Sequence, residues 1–132
     1  MGSQPSVLLV EDDRDGRRMY AEWLLHAGFR VEQAHNGLQA LERAFESGPD
    51  IVVTDLNIPG IDGFELTRRL KLDPRTKLVP VVAITGYAAF AADPSRARRA
   101  GCDAVLEKPC SPEDLEVAIR TLMPGDQTST RE

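Results

Sequence analysis

Residues 7–13, with the sequence VLLVEDD, place three acidic residues directly after a short and wholly apolar run. Four more apolar runs follow, at residues 29–33, 51–54, 81–84 and 104–106. Their starts lie about 22 to 30 residues apart, which leaves room for a crossover helix between parallel strands. The runs at 7–10, 51–54 and 81–84 are continuous, as expected for strands that helices cover on both faces. The run at 29–33 contains charged and polar residues and therefore predicts an edge strand.

Helical patterns fill the intervals between these runs. Five strand-and-helix units predict a doubly wound α/β fold, (βα)5 and flavodoxin-like, with a five-stranded parallel sheet in the order 2-1-3-4-5. In the fourth interval we expect a looser turn over 87–92 and a helix only over 94–100. Residues that commonly cap helices predict where the helices begin and end. The predicted N-caps are Asn36, Asp62, Asp93 and Ser111, and the glycines predicted to end helices are Gly28 and Gly48. The predicted buried faces consist of Met19, Trp23, Leu24 and Ala27 on the first helix, Leu38, Leu41 and Ala44 on the second, Phe64, Leu66 and Leu70 on the third, and Leu115, Ala118, Ile119 and Leu122 on the last.

Length and composition narrow the class of protein. The 132 residues fit one domain, which we place at 6–123, with a disordered start over 1–5 and a flexible tail over 124–132. The net charge of −5 argues against a nucleic-acid partner. No apolar run approaches the ~18 residues of a membrane-spanning helix, and no secretory signal is evident. Cys102 and Cys110 form no disulfide framework and no zinc motif, so we expect free thiols in a reducing cytoplasm.

Chemically active side chains follow four of the five predicted strands. Glu11 and Asp12 come after the first strand, Asp55 after the third, Thr85 after the fourth and Lys108 after the fifth. Because parallel strands end on one side of the sheet, these side chains are expected to share a crevice. Like charges about 4 Å apart repel by about 4 kcal/mol per pair at an effective dielectric of about 20, so three carboxylates need cations. Lys108 and one divalent cation would balance the three negative charges. Mg²⁺ suits this role, because it is a hard cation that prefers oxygen ligands.

This grouping favours phosphoryl chemistry. Asp55 can act as a nucleophile toward a phosphoryl group and form an aspartyl phosphate. Mg²⁺, the Lys108 ammonium and the Thr85 hydroxyl would then stabilise the charge on the phosphoryl oxygens.

Four ordered motifs also resemble a known family. They are VLLVEDD at 7–13, DIVVTDLNIPGIDG at 50–63, ITG at 84–86 and GCDAVLEKP at 101–109. Together they resemble a response-regulator receiver domain over about residues 6–123. The resemblance implies that a histidine kinase or a histidine phosphotransfer protein phosphorylates Asp55, and that the chain catalyses only its own phosphorylation and dephosphorylation.

The resemblance also implies roles for individual residues. Asp12 and Asp55 would bind Mg²⁺ directly, Glu11 through water, and Asn57 through its backbone carbonyl. Thr85 would move toward the phosphoryl group, Lys108 would pair with it, and the Lys108–Pro109 peptide bond would be cis. Output would pass to a downstream protein through the face of helix 4, strand 5 and helix 5, where Arg96, Arg98 and Arg99 are candidates for contact.

One position departs from the family pattern. Val105 stands where the family often has a tyrosine or phenylalanine that swings inward, so an aromatic switch at this position is not expected. Tyr87 or Phe90 could take that role. The family uses the positions of Asn57 and Tyr87 to tune the lifetime of the phosphoryl group.

Two other functions compete with a phosphorylation switch. A Mg²⁺-dependent phosphatase of the haloacid-dehalogenase type also uses an aspartyl nucleophile, but it needs a second aspartate two residues later, where this chain has Asn57. A receiver-shaped interaction module that is never phosphorylated is the other alternative.

The remaining polar and aromatic candidates have structural interpretations: Asp13 and Asp62 as helix caps, His26 and His35 as surface or half-buried residues, Cys110 as an inert small residue, and Tyr20 and Trp23 as packing residues.

Overall fold

A five-stranded parallel sheet forms the centre of the molecule. The computed structural model describes residues 4–86, 93 and 95–123. The strands lie in the order β2-β1-β3-β4-β5, as predicted, and every neighbouring pair is parallel. β2 is therefore an edge strand, and β1, β3 and β4 are interior strands. The strand bounds are β1 Ser6–Val10, β2 Arg30–Ala34, β3 Ile51–Asp55, β4 Val81–Thr85 and β5 Ala104–Glu107.

Helices connect the strands, and most begin at the predicted caps. The side chains of Asn36, Asp62 and Ser111 each accept a hydrogen bond from a backbone N–H in the first turn of their helix. Asp13 caps the first helix in the same way, through the N–H of Gly16. The second helix ends at Gly48, whose φ of 61° is left-handed. In the described part of the chain the helices are α1 Arg14–His26, α2 Gly37–Ser47, α3 Gly63–Leu72, α4 Ser95–Ala100 and α5 Pro112–Leu122.

Two hydrophobic cores lie on opposite faces of the sheet. In β1, Leu8 belongs to one core and the adjacent Leu9 to the other, because successive strand side chains point to opposite faces. The first core contains the buried faces of α2, α3 and α4, including Leu66 and Leu70. The second contains those of α1 and α5, including Leu115 and Ile119, as predicted. The interior strands are therefore covered on both faces.

Some predicted helix faces were wrong. On α1, Met19 and Trp23 are 45% and 36% exposed, while Tyr20 and Ala21 are buried beside Leu24. On α2, Leu38 is 57% exposed. The spacing of the apolar residues predicted a helix correctly. It misplaced the buried face of α1, because Tyr20 and Ala21 also occupy the core. β2 lies one residue later than its apolar run.

Several expectations fall outside the described residues. These concern the turn over 87–92 with Tyr87 and Phe90, the proline at the start of the fourth helix, the first three residues and the tail over 124–132. In the described part of the chain, no helix combines the length and apolarity needed to cross a bilayer.

Candidate functional site

The C-terminal ends of β1, β3, β4 and β5 bring the predicted side chains to one edge of the sheet. Val10 pairs with Thr54 in the β1–β3 register, so that Glu11 and Asp55 are the next residues along these neighbouring strands. Thr85 ends β4, and its carbonyl accepts a hydrogen bond from the N–H of Lys108 at 3.0 Å. The site thus follows from strand order and register.

Lys108 joins the two buried carboxylates. Its Nζ lies 2.6 Å from Asp55 Oδ2 and 3.0 Å from Glu11 Oε1. Asp55 and Glu11 are only 6% and 3% exposed, whereas the lysine side chain is one-third exposed. The Lys108–Pro109 peptide bond is cis, as the resemblance implied. These contacts hold one ammonium between carboxylates that are 44 positions apart in sequence, with one side open to solvent.

Backbone donors satisfy the other oxygens of the same two carboxylates. Asp55 Oδ1 accepts the N–H of Asn57 at 2.9 Å, and Glu11 Oε2 accepts the N–H of Asp13 at 3.1 Å. Each carboxylate is therefore fixed by one backbone donor and by the shared lysine. The two carboxylates therefore have fixed orientations relative to each other and to Lys108.

Burial and pairing oppose each other in the ionisation of these groups. Burial raises the pKa of Glu11 above its usual 4.5, and the nearby Asp55 charge adds to this, although hydrogen bonds from Lys108 and Asp13 oppose it. Partial burial alone would lower the pKa of Lys108, but its hydrogen bonds to Asp55 and Glu11 outweigh that effect and raise the pKa above its usual 10.5. Lys108 therefore stays charged throughout the neutral range.

The remaining predicted residues stand at or just after the C-terminal ends of β1, β3 and β4. Asp12 is exposed in the turn after β1, and Asn57 is exposed just after β3. Thr85 is 1% exposed at the end of β4. A cleft of about 810 Å³ adjoins the site and is lined by residues that include Glu11, Tyr20, Lys108 and Pro109.

The donor set fits a hard cation. The side chains of Glu11, Asp12 and Asp55 carry three negative charges, and Lys108 compensates only one of them. All the available donors are oxygens, which is the preference of Mg²⁺. Within residues 4–86, 93 and 95–123, no three His, Cys, Asp or Glu side chains are close enough to hold a metal on their own. Mg²⁺ does not require such a cage, because it usually keeps several waters and takes one or two carboxylates.

Three residues that support the site were not predicted to do so. Arg17 donates to the carbonyl of Glu11 at 2.8 Å, and the Tyr20 hydroxyl donates to the carbonyl of Cys110 at 2.8 Å. Gly63 approaches β3 so closely that a Cβ atom on it would lie 2.6 Å from the carbonyl oxygen of Asp55. Gly63, the last residue of the motif at 50–63, was a usable signal for this close approach. No local pattern pointed to the other two, because their partners are backbone carbonyls.

Comparison with known proteins decides the family. The sequence pattern described as "Response regulator receiver domain" matches residues 7–120, which is most of the chain. The chain is a response regulator receiver domain. It is 35% identical to the polar-differentiation response regulator DivK of Brucella anthropi over 106 residues, which are 80% of this chain and 85% of that protein.

Solved receiver domains share the fold. The chemotaxis response regulator CheY4 of Vibrio cholerae is 28% identical and superposes with a TM-score of 0.84, covering 91% of this chain and 99% of CheY4. The receiver domain of sensor histidine kinase PA1611 from Pseudomonas aeruginosa PAO1 is 26% identical with a TM-score of 0.84, covering 92% and 98% of the two chains. That receiver was solved with a magnesium ion in its active-site cleft.

Membership of the family sets the general role. Receiver domains are the signalling domains of two-component response regulators rather than classical enzymes. They interact with histidine kinases and with downstream partners. The prediction of a receiver with a doubly wound fold is confirmed, and the residue roles stay predictions.

Proposed function

We propose that this receiver is a phosphorylation-dependent switch whose acceptor is Asp55. The donor is the phosphohistidine of a histidine kinase or of a histidine phosphotransfer protein. The bond between phosphorus and the histidine nitrogen breaks as a bond forms to a carboxylate oxygen of Asp55, and the imidazole leaves. The observation that carries this proposal is the contact of one ammonium, Lys108 Nζ, with the buried carboxylates of both Asp55 and Glu11.

The proposed cofactor is Mg²⁺. Asp12 and Asp55 would hold it directly, Glu11 through a water molecule, and Asn57 through its backbone carbonyl. When bound, the ion supplies positive charge to the oxygens of the transferring phosphoryl group. The two uncompensated negative charges of the acidic side chains and the magnesium in the PA1611 receiver support this assignment.

Lys108 and Thr85 are proposed to bind the phosphoryl oxygens. Lys108 already contacts the oxygen of Asp55 at 2.6 Å, so a small movement brings its Nζ to an oxygen of the phosphoryl group. Thr85 lies at the end of the neighbouring strand and can donate its hydroxyl. Fixed donors aimed at developing charge typically contribute several kcal/mol to phosphoryl and acyl transfer.

The proposed output is a change in affinity for a downstream protein. A phosphoryl group on Asp55 would shift the equilibrium between two arrangements of α4, β5 and α5, because Lys108 directly follows β5. On α4, Arg96 lies over the ring of Phe64 at 3.9 Å, and Arg98 and Arg99 are exposed. We place this switch in the cytoplasm, in line with the free thiols of Cys102 and Cys110.

Acetyl phosphate with Mg²⁺ provides the direct test of the acceptor. We expect the wild-type chain to take up one acid-labile phosphoryl group, measured on a phosphate-affinity gel, and Asp55→Asn to take up none. Chelation of Mg²⁺ should also abolish uptake. Asp62→Asn is the matched control, since asparagine can still cap α3, and it should behave as wild type.

The same assay separates the competing functions. Phosphoryl uptake that survives Asp55→Asn would contradict the assignment of the acceptor. Repeated turnover of small phosphate esters would support a phosphatase instead. A wild-type chain that takes up no phosphoryl group would support an interaction module that is never phosphorylated.

A further inference from the structure

Hydrogen bonds at Lys108, Cys110 and Ser111 hold the segment that carries Lys108 into the site. Lys108 itself is fixed by its N–H bond to the carbonyl of Thr85. Ser111, three residues later, is the N-cap of α5. Between them the carbonyl of Cys110 accepts a hydrogen bond from the hydroxyl of Tyr20 on α1 at 2.8 Å. Tyr20 thus connects this segment to a helix on the other side of the cleft.

Tyr20 is a buried residue with a polar end. Its side chain is 4% exposed and packs in the core formed by α1 and α5. Burial raises the pKa of its hydroxyl above the usual 10, so that the hydroxyl keeps its proton and remains a donor. A phenylalanine would fill the same space, so packing alone does not account for the hydroxyl group.

The same helix also holds the acidic side of the site. Arg17 on α1 donates to the carbonyl of Glu11, and Asp13, which caps α1, donates its N–H to the Glu11 carboxylate. Helix α1 is therefore bonded to both Glu11 and the segment of Lys108. In the site, Lys108 Nζ lies 3.0 Å from Glu11 Oε1, so α1 is bonded to the segments that carry both partners of this ion pair.

We propose that Tyr20 is a positioning residue for Lys108. Its hydroxyl fixes the backbone at Cys110, so that the lysine ammonium is held against Asp55 and Glu11 before a phosphoryl group arrives. Without this bond the segment of Lys108 samples more conformations, and the ammonium spends less time at the acceptor. The proposal rests on the proposed function of Asp55, although the position of Lys108 can also be measured without phosphorylation.

Tyr20→Phe is the test variant, because it removes the hydroxyl and keeps the ring. We expect phosphorylation by acetyl phosphate to slow by about three- to tenfold, the equivalent of about one hydrogen bond. Trp23→Phe is the matched control. Trp23 also lies on α1 and donates to α5, through its indole N–H to Glu116 at 2.9 Å, and within the described residues its side chain makes no hydrogen bond to the segment of Lys108. Its loss should leave the rate at the wild-type value.

A double-mutant cycle separates positioning from a general loss of stability. In a Lys108→Ala background, Tyr20→Phe should cause no further loss of rate, because the group that it positions is absent. If the double variant loses the same factor again, Tyr20 acts independently of Lys108 and the proposal is wrong. It is also wrong if Trp23→Phe slows the reaction as much as Tyr20→Phe.

Lysine NMR gives a readout that needs no activity. The chain has three lysines, Lys71, Lys77 and Lys108, so their side-chain signals can be resolved. Tyr20→Phe should increase the mobility of the Lys108 side chain and leave Lys71, which is paired with Asp103 at 2.9 Å, unchanged. An unchanged Lys108 signal would overturn the proposal even if Asp55 is the acceptor. Failure of the acceptor assignment would appear instead as uptake in Asp55→Asn.

Discussion

Single residues in this site are constrained by close approach as much as by charge. Gly63 opens α3, and its N–H donates to the carbonyl of Leu56 at 3.0 Å. A Cβ atom at this position would lie 2.6 Å from both the carbonyl oxygen of Asp55 and the Cα atom of Leu56. Because both neighbours are backbone atoms, neither can move aside without shifting the end of β3. The glycine therefore allows the helix to begin directly against the end of the strand that carries Asp55.

Gly63→Ala should consequently destabilise the fold. We expect a loss of about 1–3 kcal/mol in the free energy of unfolding, the usual cost of overpacking. Gly86→Ala is a matched control, since its Cβ atom would meet Lys108 Cβ at an ordinary 3.4 Å. Urea denaturation measures both variants. Equal stability of the two would show that the end of β3 yields to the added methyl group.

The grouping of Glu11, Asp55 and Lys108 could be predicted at the residue scale from one rule. Side chains that follow parallel strands share an edge of the sheet, and this rule requires no knowledge of side-chain conformation. The hydroxyl bond of Tyr20 could not be predicted in this way. Its acceptor is a backbone carbonyl 90 positions away, and every residue carries a carbonyl, so the sequence holds no specific signal for it.

At the scale of elements, α3 shows how charge stabilises a helix start. Glu65 lies in its first turn, where a negative charge interacts favourably with the helix dipole. The same carboxylate is bonded to Arg68 at 2.6 Å and to Arg69 at 2.7 Å. These hydrogen bonds, first from Arg68 and then from Arg69, lower the pKa of Glu65 from 4.5 to about 2.

A pH dependence of stability follows from this lowered pKa. The contribution of Glu65 is fully present above about pH 4.5 and is lost as the pH falls toward about 2, because the unfolded chain binds a proton first. Glu65→Gln should therefore be less stable than wild type at neutral pH, and the difference should vanish near pH 2. The effect is small and sensitive to salt, because the pair is exposed.

Urea denaturation at a series of pH values measures this difference. Glu46→Gln is a suitable control, because Glu46 is exposed on α2 and has no ion pair within the described residues. A wild-type advantage over Glu65→Gln that persists unchanged at pH 2 would contradict the prediction.

The elements themselves were largely predictable, although their faces were less so. Caps such as Asn36 and Asp62 act locally, and they mark helix starts within a residue. The buried stripe of α1 depends on what packs against it. Tyr20 is buried in the core that also contains the buried face of α5, and the sequence of α1 alone does not specify these distant neighbours. Met19 and Trp23 were assigned to the core wrongly for the same reason.

At the scale of the whole molecule, the sheet separates two cores that share no side chain among the residues that the structure describes. Leu70 on α3 belongs to one core, and Ile119 on α5 belongs to the other. Both side chains are fully buried. Substitutions in the two cores should therefore act independently unless the sheet itself deforms.

Leu70→Ala and Ile119→Val test this independence. We expect losses of about 2–5 and about 0.5–1.5 kcal/mol in the free energy of unfolding, respectively. The double variant should lose the sum of the two values within about 0.5 kcal/mol. Urea denaturation of the four proteins measures the cycle. A clear departure from the sum would indicate that the sheet transmits strain between its two faces.

The exposed indole of Trp23 has a practical consequence. It is the only tryptophan in the chain, it lies on the outer face of α1, and it is 36% accessible. When the protein is excited at the red edge of its absorption, its intrinsic fluorescence therefore arises from Trp23 alone, whose indole N–H donates to Glu116. The wavelength of its emission maximum and its quenching by acrylamide will therefore report the solvent exposure of this part of α1, without any dye attached to the protein.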